Sequence, residues 1–503
     1  MAILRYTASA DNTITNAYEA NLVTRGTGSN MGYADALEVF SIYGQESGST
    51  GQSQELSRIL IEFPINSVKS DRTAGIIPAS GSVSFYLKMF NAETPWTLPQ
   101  DFTLTVAPVS RSWNEGTGLD MDNYQDLGTS NWMKANNSTS WSTVGGDYLT
   151  ASNFNVLFPQ GYENLELDVT SLVEKWVTGS AGGGFDNYGF GVHLTSSQEA
   201  YFSSSVGDPA SGSVLQNVSG ATETYYTKKF FARSTEFFFK RPVLEARWDS
   251  RVMDDRENFY YSSSRAPAAD NLNSLYFYNY IRGRLVDYNG DIGVSVYSSS
   301  FGTPAGNALQ IASPAGTTVD ATKVSTGVYK VEFAITGAAT DPIAELNDVW
   351  RDVDSGVQLY TGSVYPEVFP TYAAAPTFTK VTSCTNLQKS YSRQDTARFR
   401  FFIRDKNWSP TIYTVATANN PTEIMPSASY SIVRVTDNLN AVPYGTGSNL
   451  STLMSYDVDG NYFDLDMSLL DDGYMYEIKL SYYNDSIGSW REQPQTFKFR
   501  VEE

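Results

Sequence analysis

The chain has 503 residues, too many for one hydrophobic core, and this length points to about three domains. Its formal net charge of −20, from 55 acidic and 35 basic residues, repels phosphate backbones and anionic lipid, so nucleic acid and membrane surfaces are excluded as partners of the bulk surface. Cys384 is the only cysteine and His193 the only histidine, which excludes an intramolecular disulfide, a cysteine-based zinc site and multi-histidine metal sites, and leaves Ser-His-Asp and Cys-His catalysis without support.

Aromatic residues make up 14% of the chain and charged residues only 18%, beside abundant Gly, Ser, Thr and Asn. Aromatic and β-branched side chains suit pleated, half-buried surfaces, and the small polar residues supply turns, so the chain reads as all-β. The N-terminal segment MAILRYTASADNTITNAYEA lacks a basic stretch followed by an apolar one, so no secretory signal is expected. No apolar run approaches the roughly 20 residues that a membrane-spanning helix needs.

Residues 1–248 are expected to form the first unit. ADNTITNAYE (10–19) opens it as a short polar strand, and GTGSNMGYADALEVF (26–40) is a loop running into a strand. QELSRILIEFP (54–64), SGSVSFYLKMF (80–90) and DFTLTVAPVS (101–110) alternate with period two, as strands half-buried in a sheet do. A long polar excursion over 113–150 holds Trp113, Trp132 and Trp141. NLELDVTSLVEKWVTG (164–179) is the one helical pattern, with Leu172, Val173, Trp176 and Val177 at helical spacing and Thr170 or Ser171 available as a cap. NYGFGVHLTS (187–196), TKKFFARST (227–235) and RPVLEARW (241–248) supply the closing strands, and His193 reads as a satisfied strand residue. Lys228, Lys229 and Arg233 are the nearest thing to a basic patch and are expected to decorate a strand.

Six segments recur in the order of one family: Ser57-Arg58-Ile59-Leu60-Ile61-Glu62-Phe63, Ser112-Trp113-Asn114-Glu115-Gly116-Thr117, Trp141 through Tyr148, Asp168-Val169-Thr170 with Trp176, Asn187-Tyr188-Gly189-Phe190, and Ser234-Thr235-Glu236 before Pro242-Val243-Leu244-Glu245. Together they resemble the DNRLRE-type β-sandwich, a jelly-roll module related to carbohydrate-binding modules and found on microbial surface proteins. The resemblance covers about half the chain and implies a jelly-roll sandwich over 1–248. Trp113, Trp176 and Phe190 are large apolar bodies beside turn residues and are expected to plug the sandwich core, with Gly116, Gly145, Gly146 and Gly189 permitting strained backbone.

Residues 249–270, DSRVMDDRENFYYSSSRAPAAD, break the periodicity and read as a linker. Two further units follow at 271–372 and 376–503, joined near PTYAAAP (370–376). Each carries turn-bounded alternating strands, and NYIRGRLVD parallels RFFIRDKN as Gly327-Val328-Tyr329 parallels Gly460-Asn461-Tyr462. Their length and pattern fit two immunoglobulin-like sandwiches in tandem.

Catalytic chemistry has little to build on. The acidic clusters FDLDMSLLDDG (463–473) and GLDMDNYQD (118–126) read as turn and hairpin-end aspartates rather than glycosidase pairs. Asp457-Val458-Asp459-Gly460-Asn461 begins like an EF-hand loop, but Ser468 stands where the bidentate Glu belongs, so a hairpin turn is expected. GTGSNMG (26–32) opens no helix and gives no nucleotide site. No cofactor is expected, and Asp120 and Asp122 are the only calcium candidates, on the resemblance to sandwiches that hold a structural ion between loops. The same resemblance makes Trp132, in the polar stretch TSNWMKANN, the candidate for stacking on a sugar ring; a tryptophan pinning a long loop is the competing reading.

An acidic, modular, all-β chain with no signal, span or catalytic constellation fits a structural protein of a tailed-phage virion, made in the host cytoplasm. It would serve as capsid decoration, collar, baseplate or fibre, in multiple copies, touching other virion proteins and a surface glycan. The alternative is a cellular carbohydrate-binding surface or accessory protein of a polysaccharide-utilising system.

Overall fold

The computed structural model describes residues 2–44, 54–94, 99–119, 129–203, 212–267, 271–299, 304–337, 342–367, 380–406, 408–409, 422–445, 451–484 and 488–503. It is all-β, as expected, and divides into two units, Ile3–Trp248 and Asp249–Glu503.

In the first unit, β1 (Ala2–Thr7), β5 (Ser84–Met89), β8 (Leu165–Asp168) and β11 (Val243–Trp248) form one sheet, in the order β1-β11-β5-β8. The facing sheet runs β10 (Tyr225–Phe231), β3 (Ala36–Tyr43), β4 (Gln54–Glu62), β9 (Phe190–Leu194), β6 (Phe102–Pro108) and β7 (Phe154–Phe158), with β2 (Ala10–Thr15) also pairing β4. Alternate residues of a strand face opposite sides. Ile59 and Ile61 of β4 therefore join the core between the sheets, with Phe85, Leu87, Leu104, Val106, Val192 and Leu244.

The other side of β4 is buried as well. Leu56 and Leu60 pack there with Trp113, Trp132 and Trp141, each at most 5% exposed. The described parts of the excursion, 113–119 and 129–150, polar as they read, thus close a second small core over the outer face of that sheet. Polar residues dominate it because its turns consume them: the Asn131 and Asn136 side chains each accept backbone N–H groups two and three residues on.

Two helices cap the main core. The expected one, α2 (Thr170–Thr178), buries Leu172, Val173 and Trp176. Its N-cap residue, Val169, supplies no side-chain cap, and the Asp168 carboxylate accepts the Thr170 N–H at 2.9 Å; the Thr170 hydroxyl donates to Asp168 at 2.6 Å and accepts the Phe85 N–H at 2.8 Å, which ties the helix to β5. The other, α1 (Ile65–Thr73), follows Pro64 and was not expected, because only Ile65 and Val68 are apolar and buried in it. Two apolar positions are too few to display a period; the contact with the core, and the paired bonds from Arg72 to Glu174 of α2 at 2.6 and 2.7 Å, hold it helical.

The second unit holds two more sandwich cores. Strands at 273–278, 328–333 and 322–325 face strands at 292–299, 346–352 and 358–364 around Leu275, Val294, Val331, Phe333 and Trp350. Further on, 380–384, 396–405, 460–466 and 455–457 face 390–392, 489–502, 475–484, 428–434 and 440–442 around Phe399, Phe401, Tyr430, Phe463 and Ile478. The strand Leu346–Asp352 escaped the period-two reading because it is buried on both faces and carries Asp348 inside. Arg256 makes two bonds to that carboxylate, and Trp350 Nε1 donates to it at 2.7 Å.

Arg256 also corrects the linker placed at 249–270. Phe259 is fully buried and Tyr261 is 5% exposed, both in the core of the 273–364 sandwich. Val252 and Asp254 exchange backbone bonds with Tyr456, and Asp255 accepts the Tyr456 hydroxyl at 2.7 Å. Asp255 and Arg256 are used in place, and residues 252–262 are held as part of the fold. PTYAAAP (370–376) lies outside the described residues.

Candidate functional site

The residues singled out in the sequence do not converge. Trp132 is completely buried: its Nε1 donates to the Ser213 carbonyl at 2.8 Å, and Arg58 lies 5.5 Å from its ring centroid. Gly145 (φ 84°) covers the ring so closely that a Cβ there would stand 2.8 Å from the indole. No ring face is open to a sugar, and the stacking assigned to Trp132 is withdrawn; it is the tryptophan that pins the loop. Asp120 and Asp122 lie outside the described residues, and among the described residues no group of three metal-ligating side chains forms.

Trp132 belongs to a buried polar cluster that sequence reading did not assemble. Arg58, on the outer face of β4, makes a two-point ion pair with Glu199 at 2.7 and 2.9 Å, and donates to the Gly145 carbonyl at 3.2 Å. Tyr148 donates to the same carbonyl at 2.7 Å, and its ring lies 5.2 Å from that of His193. His193 Nδ1 donates to the Leu194 carbonyl at 2.7 Å. Burial, with the Arg58 guanidinium beside it, pushes the imidazole down to about 4, so it is neutral near pH 7. These groups are satisfied by one another and close the second core. The signal in sequence was the arginine itself, a charge set directly before the apolar run Ile59-Leu60-Ile61.

The basic residues of the 227–235 segment are also engaged. Lys228 is 2% exposed, and its ammonium donates to Asn91, Gly161 and Glu163 at 2.6–3.0 Å between the rings of Phe158 and Phe230. Lys229 pairs with Glu38, and Arg233 with Glu115. The acids of the 457–472 stretch are spent in the same way: Asp457 on Arg400, Asp464 on Arg398, Asp471 on Arg434 and Asp472 on Arg393. Asp457 and Gly460 pair across a two-residue turn, which is the expected hairpin.

A cleft is where polar groups remain unmet. Its volume is about 340 Å³, and it opens where β4 runs into α1, beside the loop that follows α2. Trp176, Phe63 and Phe185 supply apolar wall, and Ser9, Glu62, Asn66, Lys69, Asp186 and Asn187 supply polar atoms. The frame is tied: Ser9 N–H donates to the Glu62 carbonyl at 2.8 Å, Asn187 to the Phe63 carbonyl at 2.9 Å, and the Ser180 hydroxyl to Asp186 at 2.7 Å. The side chains of Glu62 and Lys69 have no hydrogen-bond or ion-pair partner among the described residues. Burial raises the Glu62 carboxyl above its ordinary value, with no cation beside it to offset the shift. The buried Trp176 Nε1 likewise has no acceptor.

No family model and no curated protein matches the chain. Among solved structures, trypsin-activated alpha-2-macroglobulin from Escherichia coli is similar at 8% identity and a TM-score of 0.16, over 89% of this chain and 24% of that one. Salmonella alpha-2-macroglobulin reacted with methylamine is similar at 8% identity and a TM-score of 0.15, over 100% and 28%. The chain spans about a quarter of the length of these proteins, and a likeness this low carries neither fold nor function across.

Proposed function

We propose that the chain is a non-enzymatic structural component of a tailed-phage virion, working through protein contacts in a multi-copy assembly and through adhesion to a surface glycan. The observation that carries this reading is how the polar chemistry is spent. Across three sandwich cores, the lone histidine, the buried arginines and the acids of 457–472 serve internal bonds, which suits a scaffold whose output is its surface. Charge supports it as well, since −20 keeps a many-copy component soluble before assembly.

Mass spectrometry of purified particles tests the proposal: the chain is expected in stoichiometric amounts, and its absence from every virion fraction would sink the virion reading. The cleft beside α1 and α2 favours a second reading, a cellular carbohydrate-binding surface or accessory protein. That reading expects the chain in a cell-surface fraction and not in particles.

A further inference from the structure

We infer that the cleft between α1 and the loop after α2 holds a single neutral sugar residue, an assignment that rests on the adhesive part of the function proposed above. Its geometry selects the ligand by what it leaves unmet. Glu62 offers two acceptor oxygens and Lys69 three donor hydrogens, and the two do not come within 4 Å of each other although both line one cleft. Glu62 is half-buried, and the fully enclosed Trp176 Nε1 in the same lining has no acceptor; a buried donor left unmet costs stability, so a fold that keeps one has left it for something else to satisfy.

The ligand's class follows from charge and shape. An anion would face Glu62 and Asp186 with a single ammonium to offset them, and a cation, though drawn to the carboxylates, would offer the Lys69 ammonium no acceptor. An apolar guest would leave the Glu62 carboxylate desolvated. A ring bearing vicinal hydroxyls, each both donor and acceptor, meets the carboxylate and the ammonium together, while its C–H face lies against Phe185, the one partly exposed aromatic ring of the lining. The volume of about 340 Å³ is at the small end for ligand sites, enough for one sugar ring with bridging water. Gly179 borders the same space with φ 71° and ψ 165°, a conformation open to glycine, and a Cβ there would stand 3.7 Å from Lys69 Nζ.

The full chain is tested by saturation-transfer NMR and titration calorimetry against methyl hexosides, methyl N-acetylhexosaminides, glucuronic acid and glucosamine. At least one neutral glycoside is expected to bind with a dissociation constant on the order of millimolar, typical of a single-ring contact. Glu62→Ala and Lys69→Ala should each weaken it at least tenfold, with unchanged circular dichroism and, for Glu62→Ala, a melting temperature at or above that of the parent. Since neither side chain has an internal partner, lost binding in a folded variant reports the cleft itself. Binding that survives both substitutions overturns the cleft and leaves adhesion standing. Preference for glucuronic acid or glucosamine overturns the neutral class. If nothing binds, the cleft and the adhesive reading both fall, and the particle measurement still decides the virion reading by itself.

Discussion

Arg58 and Glu199 are 141 positions apart and meet in a two-point ion pair at 2.7 and 2.9 Å, each under a tenth exposed. Arg58 also holds Gly145, and Gly145 holds Trp132, so this one pair fastens the 113–150 excursion and the 199 region to the outer face of β4. Charge in so enclosed a place is tolerable only because each partner answers the other.

Removing one partner should therefore be costly. Glu199→Gln or Arg58→Met is expected to lower unfolding free energy by about 3–5 kcal/mol, measured by urea denaturation. Arg58→Lys should not rescue it, because an ammonium cannot make both bonds. A double variant, Arg58→Met with Glu199→Leu, should cost less than the sum of the singles, and strict additivity would show that the pair is not coupled.

His193 sets an acid limit. Its folded-state value, about 4, lies below the ordinary value of 6.5, so the folded protein resists the proton that the unfolded chain accepts. The stability this group contributes is complete above about pH 6.5 and is lost as pH falls toward 4. Being the only histidine, it gives one imidazole signal in NMR, which should titrate near 4. His193→Gln should flatten the difference in urea stability between pH 7 and pH 4.5, and an imidazole titrating near 6.5 would refute the argument.

Trp132→Ala should act on folding and not on sugars. Deleting a buried indole that fills a second core is expected to cost about 3–5 kcal/mol. A folded Trp132→Phe variant should retain whatever glycoside affinity the parent shows, and selective loss of that affinity would restore Trp132 as a contact.

The 252–262 segment should behave as core. Phe259→Ala is expected to destabilise by about 3–5 kcal/mol, seen as a lowered melting temperature. Limited proteolysis of the native chain should leave 252–262 intact, and rapid cleavage there would return it to a linker.

Much of this architecture was legible in the sequence. Alternation located most strands, the spacing of Leu172, Val173 and Trp176 located α2, and Trp113, Trp176 and Phe190 are buried as expected. What escaped shares one cause. The strand Leu346–Asp352, the helix α1 and the 249–270 segment all carry polar residues whose partners lie far away in the chain. Asp348 reads as a loop acid until Arg256, 92 positions away, is beside it. The cleft escaped too, since Glu62 and Lys69 look like ordinary surface charges on a strand end and a short helix.

By itself the sequence determined the all-β class, most strand positions and the large residues of the cores, because side-chain period and turn chemistry are local properties of the chain. Only the tertiary structure decided which polar residues are enclosed and which face solvent. Trp132 in a polar loop and Glu62 at a strand end look alike as exposed residues, yet one is sealed under Arg58 and Gly145 while the other is left without a partner in a cleft. Exposure depends on what packs over a residue, and that is set by contacts such as Arg58 on Trp132, 74 positions apart, that no local pattern records.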